Sequence, residues 1–556
     1  MRNTLIIFAL TAVPVLAQVS GPIVTKPTAT AVTAPLGQLS QAGLASLYTS
    51  ENTGYIERDH RIAKGSLSFA STPEAPLVTV PANAPYSQNA NYLPLGTTSL
   101  LNFEAQGLGT PSFIIAGAPP DTTLGVSPTQ IVQWVNTSIA IYDKAGNPLL
   151  PAPGFVNGNA IWAALPAGSL CRDYNRGDPL VQYDRFAGRW ILSQFAFNAS
   201  FTQNAQCFAV STTNNALGSY NLYEYSFGNA LPDYGKLGVW HDAYYLSYNM
   251  FTTGQTFAGG RACAYDRAAM IAGAPATSIC FNSTARSSFL PSDADGPSLP
   301  AAGTPNYLIS WNWWFTAPPY TMQLTKFKPD FVTPASSLFN DGFGGAVFSF
   351  VGFDLGSNTL AACNDQAGGI SSCVPQLGTA QMLDTLGDRH MYRLVYRNFG
   401  TFDALLFTQA VDNVAGSTAQ LRWWEIRNPG ANPPVVYQNS TFAPDTTARW
   451  MSSAAFDKLG NIAIGYSASS ASINPGIRVA GRRRTDPKNL LRAETIIQAG
   501  TGSQTGGLDR WGDYSTMQID PSNDCTFWYT TQYIGANGSF NWRTRIAGFK
   551  FPNCTP

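Results

Sequence analysis

The chain has 556 residues, with 33 basic and 33 acidic side chains, a formal net charge of zero, and charged residues at only 12% against 12% aromatics. Such a balance supplies no field to hold nucleic acid or an anionic membrane surface, and so few charges exclude long solvent-facing helices. With 50 Gly and 38 Pro, polarity rests on turn residues, which points to a turn-rich sheet protein.

Residues 1–17 read as an export signal: Arg2 is the positive start, residues 5–16 are apolar, and Val15-Leu16-Ala17 fits the small-x-small cleavage rule, so the mature chain begins near Gln18. No other run is long enough for a transmembrane helix, and the expected location is secreted, extracellular or periplasmic. Residues 18–96 read as a leader and N-terminal extension; the part up to about residue 50, rich in Ala, Thr, Pro, Val and Gln, is expected to be irregular and flexible. Helical pattern is confined to residues 41–48 and to the segment Asp266-Arg-Ala-Ala-Met-Ile-Ala-Gly.

From 97 to 556 short apolar–aromatic runs alternate with Gly, Pro, Asn and Asp clusters, at 131–142, 180–197, 237–248, 307–314, 391–407, 451–466 and 515–533. Four of the clusters are alike, each an aromatic or apolar residue, then Asp, then a Gly or Asn turn. They are Asp143-Lys-Ala-Gly146-Asn147, Asp184-Arg-Phe-Ala-Gly188, Asp457-Lys-Leu-Gly460-Asn461 and Asp520-Pro-Ser-Asn523-Asp524. Asp accepts bonds from turn amides, so each is expected to link an inner strand to the next one out.

A second element recurs four times, an acid followed within four positions by a base and then a strand-like run. The copies are Asp233-Tyr-Gly-Lys236, Asp388-Arg389, Asp445-Thr-Thr-Ala-Arg449 and Asp509-Arg510. Recurrence on this scale means a modular fold. The expected fold is all-β: a single β-propeller of about seven four-stranded blades over 97–556, after a short irregular leader, with a two-sheet sandwich array as the alternative. The eight cysteines fit an oxidising compartment and invite local pairing, Cys171–Cys207, Cys263–Cys280, Cys363–Cys373 and Cys525–Cys554. The basic triplet Arg482-Arg483-Arg484 reads as a solvated strand end.

Pro119-Pro-Asp-Thr, Val132-Gln-Trp-Val-Asn-Thr, Gly177-Asp-Pro-Leu-Val-Gln-Tyr-Asp-Arg, Pro232-Asp-Tyr-Gly-Lys-Leu-Gly-Val-Trp and Asp509-Arg-Trp-Gly-Asp-Tyr resemble a group of large secreted bacterial proteins described as sialidase-like propellers. The resemblance covers about 97–556 and implies the propeller, with no activity common to the group. Related chains carry an Asp-x-Asn-Gly-Asp stretch resembling a cation loop; here Asp121-Thr-Thr-Leu-Gly125 lacks the later oxygen ligands, so no metal is assigned. No phosphate loop, Cys/His cluster or other cofactor motif is present, and none is expected.

If every inner strand starts at one channel mouth, Lys236, Arg389, Arg449 and Arg510 gather there with Trp450 and Trp511. Guanidinium forks hold a carboxylate and indole faces stack on a pyranose, so this set suits an acidic glycan. Sialidases use three arginines in this way, and Arg389, Arg449 and Arg510 are the counterparts, although the sialidase Asp-box spacing is absent. His390 is the proton-transfer candidate, with Asp513 as a possible acid and Tyr514 as a phenolic base. Asp178 and Asp295 supply further carboxylates or cap turns, and Trp311, Trp313 and Trp314 are either core or a glycan-binding surface. The competing account makes each acid–base start a purely structural tie between blades. Two functions follow: a secreted glycosidase or lyase acting on an acidic glycan at the mouth, or a non-catalytic propeller binding glycan or protein at the cell surface.

Overall fold

The computed structural model describes residues 19–38, 55–56, 87–254, 256–284, 286–311, 322–340, 363–365, 369–370, 372–412, 418–431 and 434–555. The export signal, the 41–48 segment and the Trp313–Trp314 pair lie outside these residues. The chain is all-β. Before the body come β1 (Val19–Thr25), β2 (Ala29–Val32) and the two-residue strands Tyr55–Ile56 and Ser87–Gln88, and β3 (Thr98–Gly107) opens it.

Antiparallel meanders follow, in three four-stranded sheets, two five-stranded sheets and one nine-stranded sheet that holds two meanders. Their first strands are β4 (Thr123–Val126), β5 (Leu180–Asp184), β6 (Ala230–Val239), β7 (Leu290–Asp295), β8 (His390–Asn398), β9 (Ala448–Phe456) and β10 (Thr516–Ile519). The units they begin are numbered one to seven. The last has only three strands from the C-terminal stretch; β3 supplies its fourth, pairing antiparallel with Trp542–Lys550. First strands touch in the order β4, β5, β6, β7, β8, β9, β10 and back to β4, and β7 and β8 pair directly in parallel.

Apolar packing repeats this order. Trp134 and Ile141 of unit one pack with Trp190 and Leu192 of unit two; Leu406 and Trp423 of unit five with Phe456 and Ile464 of unit six; Ile477 and Val479 with Phe527 and Tyr529 of unit seven. Trp528 and Ile546 of unit seven then pack on Leu124 and Ile131 of unit one. Each sheet thus buries both faces against its neighbours, and every fully buried large side chain contributes about 1.5–3 kcal/mol.

The expected irregular leader is corrected for residues 19–32. β1 pairs antiparallel with Ser278–Ser283 at the outer edge of unit three, and β2 with Tyr220–Gly228 at that of unit two. A run of Val, Thr, Ala and Pro with Lys26 as its one charge has the chemistry to cover a sheet edge that would otherwise leave backbone groups unpaired. Arg482 is also corrected, since it is buried and donates to the Asp486 carbonyl rather than standing in solvent. The short helix Arg267–Ala272 appears as expected, capped by Asp266, whose Oδ1 accepts from Ala269 N, and ended by Gly273 at φ 72°.

All four Asp turns form. Asp143, Asp184 and Asp457 each accept two amides of their own turn through Oδ1, and Asp520 accepts that of Ser522. Those at Asp184, Asp457 and Asp520 join a first strand to the second; the one at Asp143 joins a third strand to a fourth.

The four disulfides pair locally as expected. Cys171–Cys207 closes a 36-residue separation between the connection after unit one and the third strand of unit two. Replacing both by Ser is expected to lower unfolding free energy by about 3–4 kcal/mol through the freed loop, read as a shift in urea midpoint.

Candidate functional site

Every unit holds one non-glycine residue in the left-handed region at the start end of its first strand: Asp121 (φ 49°), Asp178 (45°), Tyr234 (53°), Ser288 (48°), Leu386 (48°), Met451 (50°) and Asp513 (56°). Such a conformation is costly for residues other than Gly, Asn and Asp, and its recurrence marks equivalent places in the repeat. Tyr234 and Met451 sit in bulges of β6 and β9. Gly512, at φ 74°, lies where units one, six and seven meet: its carbonyl accepts from Asp121 N, and a Cβ there would stand 2.6 Å from Met451 Cγ.

This backbone register corrects the alignment of the acid–base starts. Lys236 and Arg389 come after their left-handed residues, whereas Arg449 and Arg510 come before theirs. The four cations therefore occupy different positions. Lys236, Arg389 and Arg510 still converge, because all three charges act on the Asp233 carboxyl. Arg449 is held elsewhere: its Nε and Nη2 donate to Glu494 on the fourth strand of its own unit at 2.9 and 3.0 Å, and Nη2 also donates to Asp445 at 2.9 Å. The expected trio of arginines is a pair. Arg449→Ala is accordingly expected to lower the melting temperature and to leave every glycan affinity unchanged, which parallel thermal melts and titrations check.

At the start end the convergent groups bond to one another. Arg389 forms a two-pronged pair with Asp388, Nε to Oδ1 at 2.6 Å and Nη2 to Oδ2 at 2.8 Å. Arg510 pairs with Asp513. Tyr234 lies against two cations, Lys236 Nζ at 3.0 Å and the Arg389 guanidinium at 4.6 Å from its ring centre. Its hydroxyl donates to the Asp513 carbonyl at 2.8 Å and its amide to Asp178 Oδ2 at 2.9 Å. The Tyr514 hydroxyl stands 3.1 Å from the same Asp178 oxygen and 3.0 Å from the Gly235 carbonyl.

Burial pushes the Asp233 carboxyl up to about 7, against the pull of Arg389, Arg510 and Lys236, with Asp513 adding to the rise. Burial and then Arg389 hold the Lys236 ammonium well below its ordinary value. Asp233 keeps 8% exposure, the most of any charged group in the cluster, where Asp388 keeps 1%.

Other expected site residues are placed differently. His390 is enclosed by Phe407 and Trp424, with ring centres 5.2 and 5.9 Å away, and its Nε2 lies 3.1 Å from Met322 Sδ. Burial, aided by the Lys236 charge, lowers it to about 3, which disfavours the charged imidazolium. Trp450 and Trp511 pack on each other 5.5 Å apart, both fully buried, and Trp511 Nε1 donates to Ser467 Oγ. They offer no stacking face. Sequence reasoning had set Asp233 and Asp388 only as partners of the bases and had not singled out Tyr234; the recurring acid was the signal that pointed to the first two.

Deeper along the same strands, side chains cross between units. Gln182 on β5 donates to Asp293 Oδ2 on β7 at 2.7 Å and to the Tyr392 hydroxyl on β8 at 2.5 Å, and accepts from Gln518 on β10 at 2.8 Å. Arg393 on β8 donates to Asp293 at 2.5 Å, to both Asp295 oxygens at 2.7 and 3.2 Å, and to the Met517 carbonyl at 3.0 Å. Asp295, expected to face the mouth or to cap a turn, belongs to this layer. At the far ends, Arg185 and Arg397 both reach Asp524, and Lys144 reaches Asp520. Among the described residues no group of three or more His, Cys, Asp or Glu is placed to hold a metal ion, and no helix is long and apolar enough to cross a membrane.

No family model and no curated protein matches the sequence. Solved structures with a similar chain course include an α-L-arabinanase of Penicillium chrysogenum complexed with arabinobiose, at 8% identity over 82% of this chain and 100% of that one, with a TM-score of 0.36. An α-L-arabinofuranosidase of Fusarium graminearum follows at 7% identity, 83% and 99% coverage and a TM-score of 0.37. A polysaccharide lyase acting as an ulvan lyase shares 10% identity over 80% of this chain and 97% of that one, with a TM-score of 0.32. At these values no residue of those proteins is matched to one here.

Proposed function

We propose that the protein is an exported seven-bladed β-propeller that hydrolyses a glycan at the start end of its first strands, with Asp233 as the proton donor. The cyclic order of first-strand contacts and the completion of unit seven by β3 support the closed ring. The observation that carries the activity is the placement of the Asp233 carboxyl among Arg389, Arg510 and Lys236 as the most exposed charge in its cluster, where burial pushes it up to about 7. A carboxyl poised there protonates a leaving glycosidic oxygen at physiological pH, and Asp513, set against Arg510, is the carboxylate of the pair.

The substrate is better read as neutral than acidic. Arg389 and Arg510 already face Asp388 and Asp513, so a substrate carboxylate would have to compete with the protein's own. The non-catalytic reading draws on the contacts of Tyr234, which meets the Arg389 guanidinium and donates to the Asp513 carbonyl and so ties units five, three and seven whether or not a glycan arrives.

Release of reducing ends from a panel of neutral and uronate-bearing oligosaccharides tests the proposal. Wild type should release them from neutral members and Asp233→Asn should lose about 100-fold or more in turnover while keeping its binding. Binding without release by wild type would establish the non-catalytic protein instead.

A further inference from the structure

A depression opens at the opposite ends of the first strands, beyond the crossing layer of Gln182, Asp293 and Arg393. It has a volume of about 510 Å³, within the range of small-molecule sites. Its walls come from the segments that leave β4, β5, β7 and β10: Pro128, Tyr183 and Phe186, Pro297 and Leu299, and Pro521. First strands of these units meet around one centre, so four units share the depression. Among the described residues Arg185 is its one charged lining group, donating Nη1 to Asp524 Oδ1 at 2.7 Å and Nη2 to Asp524 Oδ2 at 3.1 Å.

We infer that this depression is a second carbohydrate site, separate from the start-end cluster and selective for a neutral saccharide. Two aromatic rings, a leucine and three prolines match the C–H faces of a sugar ring, which gains from apolar contact. The Tyr183 hydroxyl and the Arg185–Asp524 pair add donors and acceptors for its hydroxyls. Both Nη groups of Arg185 are taken up by Asp524, which Arg397 also reaches, so an anionic ligand finds no open guanidinium fork there. The crossing layer lies between the two ends, so a sugar here occupies a place the proposed acid cannot reach, and its role is to hold a glycan chain to the protein.

Calorimetric titration with cellobiose, maltose and lactose tests the site in wild type, Tyr183→Phe, Phe186→Ala and Leu299→Trp. Wild type should give saturable heat with at least one disaccharide. Leu299→Trp, which fills the depression from a partly exposed loop, should abolish it, and Phe186→Ala should weaken it about tenfold, equivalent to about 1.4 kcal/mol. Tyr183→Phe, which keeps the ring and removes only the hydroxyl, should weaken it measurably with an unchanged thermal melt. No saturable heat with any of the three sugars overturns the inference, as does undiminished affinity in Leu299→Trp. Tighter binding of glucuronate than of the neutral sugars would also overturn it. Loss of disaccharide binding in Asp233→Asn together with retention in Leu299→Trp would place the sugar at the other end and defeat this site without touching the proposed hydrolysis.

Discussion

Arg393→Met is expected to destabilise the protein by about 3–5 kcal/mol, the loss typical of removing one partner from a buried ion pair. Arg393 is 1% exposed and joins Asp293, Asp295 and the Met517 carbonyl, so its removal strands two carboxylates from β7 beside β8. Burial already pushes Asp293 up to about 6 even with the guanidinium in place. Without that cation, Asp293 has to take up a proton or remain as an unmatched buried charge. The measurement is the urea midpoint at unchanged slope. Adding Asp293→Asn and Asp295→Asn to the variant should recover part of the loss, since the stranded charges go with it. A loss under about 1 kcal/mol in the single variant would mean that the crossing layer does not hold the units together.

Asp233→Asn carries the second large effect, and it appears in stability as well as turnover. The unfolded chain releases this proton near pH 3.8, whereas the folded chain keeps it to about 7. Between those values the folded state binds the extra proton, so the Asp233 contribution to stability falls as pH rises through the window and is level above it. Asparagine does not titrate. The stability of Asp233→Asn relative to wild type should therefore improve from pH 4 to pH 8, by an amount on the order of 4 kcal/mol from the size of the shift. Paired urea melts across that range check it. A constant difference between the two proteins would show that the carboxyl ionises as it does in the unfolded chain.

Much of the architecture is legible because local chemistry dictates it. Asp143, Asp184, Asp457 and Asp520 form their turns wherever Asp precedes amides it can accept, and the nearest cysteines pair because the turns bring them together. What escaped the sequence is the register of the repeat. The seven left-handed positions are filled by Asp, Tyr, Ser, Leu and Met, with no residue type in common, so an alignment on acids and bases sets Arg449 and Arg510 level with Lys236 and Arg389 although the backbone does not. Strand β7, Leu-Pro-Ser-Asp-Ala-Asp, is buried throughout yet half polar, because its carboxylates bond to other units rather than to solvent. Periodicity in hydrophobicity is silent about such a strand. His390, Trp450 and Trp511 have residue types that suit a site, and the sequence gives no sign that packing encloses them.

The pH dependence of reducing-end release by wild type tests the central claim most directly. With Asp233 as the acid, turnover of a neutral oligosaccharide should fall above a pKa near 7, and Asp233→Asn should show no such limb. Release that is undiminished in Asp233→Asn, or none from any glycan between pH 4 and pH 9, would contradict it.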